Sequence, residues 1–379
     1  MTMQALLGAT IVTPQGEREG SALLVEHGRI AGIVAPTDVP ADAERCLLDG
    51  GYLVPGFIDV QVNGGGGVLF NDHADIDGVH AIATAHRRFG TTTLLPTLIS
   101  DTLDKVEQAI AAVDRAIATG VPGIAGIHIE GPFLNPGKKG IHDASHLRQL
   151  GDAEIALLTR PGRGRRVVTI APELAPPGTI ARLCEAGVIV CAGHSLASYE
   201  TTVAALDEGL DGFTHLFNAM SGLGSREPGM VGAALEDRRS HFGLIVDGHH
   251  VHPATLRVAM AARGTDGVML VTDAMPPVGT DMASFMLFGQ EIRVIDDMCR
   301  GPDGTLAGSN LDMARAFRNC VTMMKVDVVA ASRMASTNPA AFLGIATERG
   351  AIAPGLWADL VHLTPQLEVA RVWIEGCVQ

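Results

Sequence analysis

The chain has 379 residues, with 28 Lys and Arg against 42 Asp and Glu, so its formal net charge is −14 at pH 7. That charge excludes a general positive field for nucleic acid or an anionic membrane surface, and the length excludes a minimal module. Hydrophobic residues make up 47% of the chain and charged residues 18%, a composition that excludes disorder and is typical of a protein with a large core.

Six scattered cysteines form no C-x-x-C pair, and no secretory leader precedes the first apolar segment. These features predict a reduced, cytoplasmic compartment. The longest apolar runs have the length of strands and are broken by Gly, His or Asp, which makes them too short to span a bilayer. We therefore expect neither a membrane nor a nucleic acid among the partners of this chain.

The first predicted elements are short alternating segments separated by polar turns, as in residues 29–34. The last thirty residues repeat this pattern at 359–363 and 368–374. Alternation of apolar and polar residues indicates half-buried strands. We expect the two chain ends, 1–52 and 350–379, to form one small β-sandwich domain.

Between the two ends, buried strands alternate with amphipathic helices. The strand candidates are Phe57–Val62, Thr92–Leu98, Gly123–Ile129, Val167–Ala171, Val188–Cys191, Gly212–Thr214, Phe242–Val246 and Val268–Thr272. The helix candidates include Ile76–Phe89, Leu103–Thr119, Ser198–Glu208 and Pro253–Arg263. This α/β pattern favours a (β/α)8 barrel over residues 53–349 rather than a doubly wound sheet. Extra strands are expected as an insertion near 284–306.

Four ionisable side chains come just after the ends of strand candidates: Glu130, His194, His215 and Asp273. A single His after an apolar strand is more simply a structural histidine. The carboxyl ends of all barrel strands meet at one rim, however, so four ionisable side chains at four strand ends favour a shared site. One carboxylate and two imidazoles leave a position open on a divalent ion, as in catalytic zinc sites. Asp273 is then free to act as a general base.

Motifs that include these four residues are spread over almost the whole chain. They are Pro55–Gly64, His128–Asn135, Gly137–His142, Ala171–Glu173, Ala192–Ser195, Thr214–Met220, Asp247–Val251, Val271–Ala274 and Leu306–Ser309. In type and order they resemble the motifs of the N-acetylglucosamine-6-phosphate deacetylases, a branch of the amidohydrolase superfamily.

The resemblance implies a role for each matching residue. Glu130, His194 and His215 are expected to bind one divalent metal ion, Zn²⁺ by preference with Fe²⁺, Co²⁺ or Mn²⁺ as alternatives, and Asp273 to be the catalytic acid and base. The expected substrate contacts are Ile141, His142, Asn218, Ala219, Arg226, His250, Leu306, Ala307 and Gly308. Arg226 is expected to reach the active site of the neighbouring subunit in a homodimer, although a solvated loop arginine remains an open interpretation.

Gln61 and Asn63 depart from the wider superfamily, in which many members have H-x-H at these positions for a second metal. Neutral amides bind transition metals poorly compared with imidazole. The sequence therefore predicts one tightly bound metal ion per chain.

The expected activity is hydrolysis of N-acetyl-D-glucosamine 6-phosphate to D-glucosamine 6-phosphate and acetate, in amino-sugar catabolism and cell-wall sugar recycling. Asp273 would take a proton from the attacking water, and His142 or His250 would stabilise the oxyanion. The phosphate would be held by backbone N–H groups after Asn218 together with Arg226 and His250.

Alternative activities are weighed against this expectation. The sequence leaves open a deacetylase of another amino-sugar phosphate, such as the galactosamine epimer, whereas the phosphate-binding positions disfavour an N-acyl amino acid hydrolase. A serine esterase is disfavoured because Gly193–Ala197 only nearly matches G-x-S-x-G. A catalytically inactive sugar-phosphate-binding barrel is disfavoured because Asp273 and the three expected metal ligands are all present.

Overall fold

The computed structural model describes residues 3–379. The amino-terminal strands of the described chain are β1 (Gln4–Leu7), β2 (Thr10–Thr13), β3 (Gly16–Arg18), β4 (Ala22–Glu26), β5 (Arg29–Val34), β6 (Glu44–Leu47) and β7 (Tyr52–Pro55). Strands β1, β4, β5 and β6 form a four-stranded sheet in the order β5-β4-β1-β6, while β2, β3 and β7 belong to a second sheet.

The middle of the chain forms a sheet of eight parallel strands that lie side by side in sequence order. These strands are β8 (Phe57–Val62), β11 (Thr91–Ile99), β12 (Gly126–Glu130), β13 (Arg165–Ile170), β14 (Ile189–Ala192), β15 (Gly212–Phe213), β16 (His241–Leu244) and β17 (Val268–Leu270). A short hairpin of β9 (Gly64–Gly65) and β10 (Val68–Leu69) follows the first of them. The predicted (β/α)8 architecture is confirmed.

Helices connect the barrel strands or follow the last of them. They are α1 (Ile76–Arg87), α2 (Leu103–Ala118), α3 (Asp152–Leu158), α4 (Thr179–Glu185), α5 (Tyr199–Asp207), α6 (Gly229–Glu236), α7 (Pro253–Arg263), α8 (Met313–Asn319), α9 (Val328–Ser332) and α10 (Asn338–Phe342). Single 3₁₀ turns lie at Pro36–Asp38, Pro136–Lys138, Ala144–His146 and Pro172–Leu174, and π-helical turns at Cys320–Met324 and Arg333–Thr337.

Local sequence accounts for where the helices begin and which face they bury. The hydroxyl of Thr102 caps α2 by accepting a hydrogen bond from the backbone N–H of Lys105 at 3.2 Å, which satisfies one of the free donors of the first turn. Val106, Ile110 and Val113 recur at helical spacing on α2 and are buried against the sheet.

Three antiparallel strands follow the last barrel strand: β18 (Ser284–Leu287), β19 (Gln290–Ile295) and β20 (Met298–Arg300). They lie inside the insertion expected near 284–306. Their apolar residues form a cluster with side chains of the barrel rim, comprising Leu69, Ile99, Met275, Phe285, Leu287, Ile292, Cys299 and Ala307. The inserted sheet is therefore fixed over one side of the rim.

The carboxyl-terminal strands are β21 (Leu360–Leu363), β22 (Val369–Ile374) and β23 (Cys377–Val378). They extend the second terminal sheet in the order β23-β22-β21-β7-β2-β3. Buried residues from both chain ends, among them Leu23, Ile30 and Trp373, share one apolar cluster. The expected boundary between residues 52 and 53 falls inside β7. The division into one domain from both ends and one barrel domain remains a proposal.

Strands β8 and β17 are the two ends of the barrel sheet, and in the described chain no ladder of backbone hydrogen bonds joins them. They are connected instead just beyond the end of β17. Asp273 N–H donates to Gln61 O at 3.0 Å, and the N–H groups of Asn63 and Gly64 each donate to Ala274 O at 2.9 Å. We call this contact between β8 and residues 272–274 the barrel seam.

Among residues 3–379, no helix combines the length and apolar character that crossing a membrane requires.

Candidate active site

The four side chains expected at strand ends lie together at the carboxyl end of the barrel. Glu130 is the last residue of β12, and His194, His215 and Asp273 follow β14, β15 and β17 by two or three residues. All four are buried, with exposed fractions of 9% or less. His194, His215 and Asp273 have positive φ angles of 49°, 33° and 52°, so the chain turns sharply after each strand and directs these side chains to the barrel axis.

One carboxylate oxygen and two imidazole nitrogens converge on a single point. Glu130 Oε1 lies 3.1 Å from His194 Nε2 and 3.0 Å from His215 Nε2, and the two Nε2 atoms are 3.0 Å apart. Tetrahedral ligands of Zn²⁺, at bond lengths of about 2.0–2.1 Å, stand roughly 3.3 Å from one another. The spacing of the three atoms therefore fits a divalent metal ion.

The orientation of the His194 ring supports the same interpretation. Its Nδ1 lies 2.8 Å from the carbonyl oxygen of Lys138, which can only accept, so Nδ1 carries a proton and Nε2 is the nitrogen that faces inward. Nε2 faces the Glu130 carboxylate at 3.1 Å, and this contact can hold either a proton shared with Glu130 or a metal ion between the two atoms. Burial opposes ionisation of Glu130, but its contacts with His194 and His215 outweigh burial and hold its pKa well below the ordinary value.

Asp273 lies next to this group of ligand atoms. Its Oδ1 accepts hydrogen bonds from Gln61 Nε2 at 3.1 Å and from Asn63 Nδ2 at 2.6 Å. Burial, together with repulsion from Glu130, raises the pKa of Asp273 to about 6. A carboxylate whose pKa is near neutrality can both accept and return a proton, as a general base and acid must.

His142 is a buried neutral imidazole whose tautomer is fixed by Ser100. The backbone N–H of Ser100 donates to His142 Nδ1 at 3.2 Å, and the Ser100 hydroxyl lies 2.8 Å from the same atom. Because a backbone N–H can only donate, Nδ1 is an acceptor and the proton is on Nε2. Burial lowers the pKa of His142 to about 3. His142 can therefore donate a hydrogen bond to an oxygen in the cavity.

A cavity of about 420 Å³ opens above these residues. Besides the expected metal ligands and Asp273, it is lined by seven of the nine expected substrate contacts: Ile141, His142, Asn218, Ala219, His250, Leu306 and Gly308. His250 is held in place by Asp247, whose Oδ2 lies 2.6 Å from His250 Nδ1. The structure thus brings together most of the residues that the sequence singled out.

Two of the expected contacts do not line the cavity. Arg226 lies in the exposed segment 222–227. Ala307 is fully buried beneath the rim, in the apolar cluster of the inserted sheet. Within this chain, Ala307 supports the cavity wall from behind, and Arg226 faces outward.

Some residues near the site make contacts that the sequence did not predict. Glu173 accepts hydrogen bonds from Asn135 Nδ2 at 2.8 Å, and from Ser195 Oγ and the Leu196 N–H at 2.6 Å each, so it connects two loops of the rim. The motif Ala171–Glu173 was the available signal for Glu173. Ser195 itself is fully buried, which argues further against a serine nucleophile at this position.

His86 is another such residue. It is fully buried on α1, and its Nε2 lies 2.8 Å from Gly64 O. It holds the glycine-rich hairpin β9–β10 close to the rim. A lone histidine in a helical pattern gives no signal of such a contact in the sequence.

Known proteins similar to this chain include several amino-sugar-phosphate deacetylases. A relative from Shewanella sp. (strain ANA-3), named N-acetylgalactosamine-6-phosphate deacetylase, is 43% identical over 371 residues, covering 97% of this chain and 94% of the relative. The crystal structure of N-acetylglucosamine-6-phosphate deacetylase from Pasteurella multocida matches with a TM-score of 0.96 at 31% identity, covering 100% of this chain and 99% of that one.

A mutant N-acetyl-D-glucosamine-6-phosphate deacetylase from Mycobacterium smegmatis, solved in complex with N-acetyl-D-glucosamine-6-phosphate, matches with a TM-score of 0.91 at 33% identity, covering 100% of this chain and 99% of that one. The model of the amidohydrolase family matches residues 52–378. The chain belongs to the amidohydrolase family.

Proposed function

We propose that this chain catalyses the metal-dependent hydrolysis of the N-acetyl group of N-acetyl-D-glucosamine 6-phosphate, with D-glucosamine 6-phosphate and acetate as products. The observation that carries the proposal is the convergence of Glu130, His194 and His215 beside the carboxylate of Asp273. The names of the similar proteins, and the substrate in one of their structures, support the substrate class.

Glu130, His194 and His215 are the proposed ligands of one divalent ion, Zn²⁺ by preference; such a ligand set also accepts Fe²⁺, Co²⁺ or Mn²⁺. When bound, the ion supplies Lewis acidity, which polarises an amide carbonyl and makes water more acidic. Gln61 and Asn63 turn their amide N–H groups to carboxylates, and this donor role supports one metal ion rather than two.

Asp273 is the proposed general base and acid. It takes a proton from the water that attacks the amide carbonyl carbon and returns that proton to the amine as the C–N bond breaks. Because Gln61 and Asn63 already donate to Oδ1, Oδ2 is the oxygen we assign to this transfer. His142 donates its Nε2–H to the carbonyl oxygen, where negative charge develops.

The remaining cavity residues are proposed to bind the sugar and its phosphate. Ile141, Asn218, Ala219, His250, Leu306 and Gly308 line the cavity, and Ala307 supports it. The net charge of −14 does not prevent binding of an anion, because short charge-assisted hydrogen bonds outweigh a field that salt screens within about 10 Å.

Arg226 is proposed to complete the phosphate site of a second copy of the chain in a homodimer. The exposed side chain of Leu223 (59% exposed), near Arg226, supports this, as does that of Leu196 (52% exposed). Their loops are joined by a hydrogen bond from Ser221 Oγ to Ala197 O at 2.6 Å. Exposed apolar side chains beside a cation are typical of a protein interface.

A second candidate substrate is the galacto epimer, N-acetyl-D-galactosamine 6-phosphate. It is favoured by the 43% identity with the relative from Shewanella, which exceeds the 31% and 33% identity with the two solved structures. The two candidates share the bond that is broken, the metal ion and the roles of Asp273 and His142. They differ only in the orientation of one hydroxyl group.

Acetate release from both epimers and from unphosphorylated N-acetylglucosamine tests the proposal, on enzyme whose metal content has been measured. We expect kcat/KM for a phosphorylated sugar to exceed that for the unphosphorylated sugar by about 10²-fold or more, as loss of charge-assisted hydrogen bonds predicts. The ratio between the epimers decides between the two substrates. Equal kcat/KM for the phosphorylated and unphosphorylated sugars would contradict the proposed phosphate site.

A further inference from the structure

Asp59 is a fully buried carboxylic acid on β8 with no role so far. Its exposed fraction is 0%, and among the described residues it forms no ion pair. A buried carboxyl group without a cationic partner is costly unless hydrogen bonds compensate it. The contacts that compensate Asp59 therefore indicate what it does.

Within residues 3–379, all donors to Asp59 come from the two sides of the barrel seam. Its Oδ1 accepts from the backbone N–H of Gln61 at 3.2 Å and from that of Thr272 at 3.3 Å. Its Oδ2 accepts from the Thr272 hydroxyl at 2.5 Å. One side chain thus connects the first barrel strand with the segment that follows the eighth strand.

This connection lies where the sheet itself provides no ladder. The backbone hydrogen bonds across the seam begin only at Asp273, whose N–H donates to Gln61 O. Asp59 accepts one hydrogen bond from Gln61, whose carbonyl is the acceptor of that backbone bond, and one from Thr272, the residue before its donor Asp273. Its carboxyl group therefore fixes the separation of the two chain segments.

The backbone of Asp273 needs such support. Its φ of 52° lies in the left-handed region, which is unfavourable for residues other than glycine and persists where the surroundings hold it. On the other side, the Ser309 N–H donates to Asp273 O at 2.8 Å, and the Ser309 hydroxyl donates to Thr272 O at 2.5 Å. Asp59 and Ser309 hold residues 272–273 from opposite sides.

We infer that Asp59 is a positioning residue for the proposed reaction: by closing the barrel seam, it holds the backbone of Asp273 so that the Asp273 carboxylate faces the reacting water. This inference rests on the proposed function for its kinetic consequence. Asp59 does not line the cavity, so it acts through Thr272 and Gln61. A shift of about 1 Å in a catalytic group can lower the rate about 10²-fold.

The test compares Asp59→Ala with Asp59→Asn in the metal-loaded enzyme. Alanine removes the acceptors for all three donors. Asparagine keeps one oxygen for the two backbone N–H groups, and its amide N–H can donate to the Thr272 hydroxyl, so it serves as the conservative variant. Asn338→Ala is the matched control, because Asn338 Nδ2 donates to Val268 O at 2.7 Å and holds the same strand β17 at its opposite end.

We expect Asp59→Ala to lower kcat about 10²-fold with KM changed less than about threefold, since the substrate contacts lie on other segments. Asp59→Asn should recover at least about tenfold of that loss, and Asn338→Ala should keep the wild-type kcat per bound metal ion. Thr272→Val retains the carboxyl group of Asp59 but removes the hydroxyl that donates to it. This variant should lower kcat about tenfold, and it is an independent test if Asp59→Ala folds poorly.

Amide hydrogen exchange of the segment 271–276 gives a readout that does not depend on turnover. Exchange should accelerate at least about tenfold in Asp59→Ala and remain at the wild-type rate in Asn338→Ala. Wild-type kcat per metal ion, or unchanged exchange, in Asp59→Ala would overturn the inference. If the wild type releases no acetate while exchange responds as expected, the proposed function fails and the positioning of Asp273 by Asp59 stands.

Discussion

Asn63 donates a hydrogen bond from Nδ2 to Oδ1 of Asp273 across 2.6 Å, and so joins the residue after the first barrel strand to the proposed base after the eighth. Gln61 donates to the same oxygen and also to Glu130 Oε2. The two amides therefore present N–H groups, which are donors, to carboxylates. In this arrangement they orient Asp273 and do not serve as ligands of a metal ion.

The first prediction follows from that donor role. Wild-type protein should bind about one divalent ion per chain, whereas the double variant Gln61→His, Asn63→His should bind about two, because imidazole is a far better ligand than an amide. Elemental analysis of both proteins after dialysis against limiting metal measures the stoichiometry. Two ions at full occupancy in the wild type would contradict the single-metal proposal.

The second prediction concerns Asp273→Asn. This variant should retain its metal ion, because the proposed ligands are unchanged, and kcat should fall about 10²–10⁴-fold through loss of the proton acceptor. Steady-state kinetics with metal analysis provide the measurement. Asp281→Asn, at an exposed aspartate on the following loop, is the control and should keep the wild-type rate. Near-normal turnover by Asp273→Asn would remove Asp273 from the mechanism.

The third prediction tests whether Arg226 acts across a subunit boundary. Arg226→Ala and Asp273→Asn should each be poorly active alone. Mixed under conditions that allow subunits to exchange, they form hybrids in which one of two sites has both an intact base and an intact arginine, so roughly a quarter of the wild-type activity should return. If no activity returns although mass spectrometry detects hybrid dimers, Arg226 serves its own subunit, whereas wild-type activity of Arg226→Ala alone would mean that it serves neither site.

The fourth prediction uses the pH dependence of stability. Burial raises the pKa of Asp59 from its ordinary value of 3.8 to about 7, with a smaller contribution in the same direction from the charge of Asp273. Between these values the folded protein binds a proton that the unfolded chain releases. The contribution of Asp59 to stability is therefore present below about pH 4 and is lost as the pH rises through about 7.

Asp59→Asn cannot titrate at this position, so the difference in unfolding free energy between variant and wild type should change with pH. From about pH 4 to pH 8, the variant should gain up to about 4 kcal/mol relative to the wild type. Urea unfolding of both proteins without metal measures this difference, in which the titrations of shared groups largely cancel. A difference that stays constant over this range would mean that Asp59 keeps an ordinary pKa.

The barrel could be predicted from the sequence because its signals are local. The alternation of apolar segments with amphipathic helical segments located all eight barrel strands. For the helix Pro253–Arg263, both predicted ends agree with the structure. The last strand ends at Leu270 rather than at the expected Thr272. Thr272 instead donates from its backbone N–H to the side chain of Asp59, a contact that periodicity cannot indicate.

The four central residues of the candidate site could also be predicted from the sequence, because their positions follow from the strands. Glu130, His194, His215 and Asp273 each lie at the end of a strand or within three residues of it, and strand ends converge in a barrel. The residues that support them were not predictable, because their partners are distant in the chain. Asp59 and Thr272 are 213 residues apart, and neither lies at an expected catalytic position.

Metal-dependent deacetylation is tested by acetate release from N-acetylglucosamine 6-phosphate and its galacto epimer, measured on one preparation before chelation, after chelation, and after Zn²⁺ is restored. We predict that acetate is released from at least one epimer, that release falls at least about 10²-fold when the metal ion is removed, and that it returns with Zn²⁺. Acetate release that persists in metal-free protein, or its absence with both epimers in metal-loaded protein, would contradict the proposed metal-dependent deacetylation.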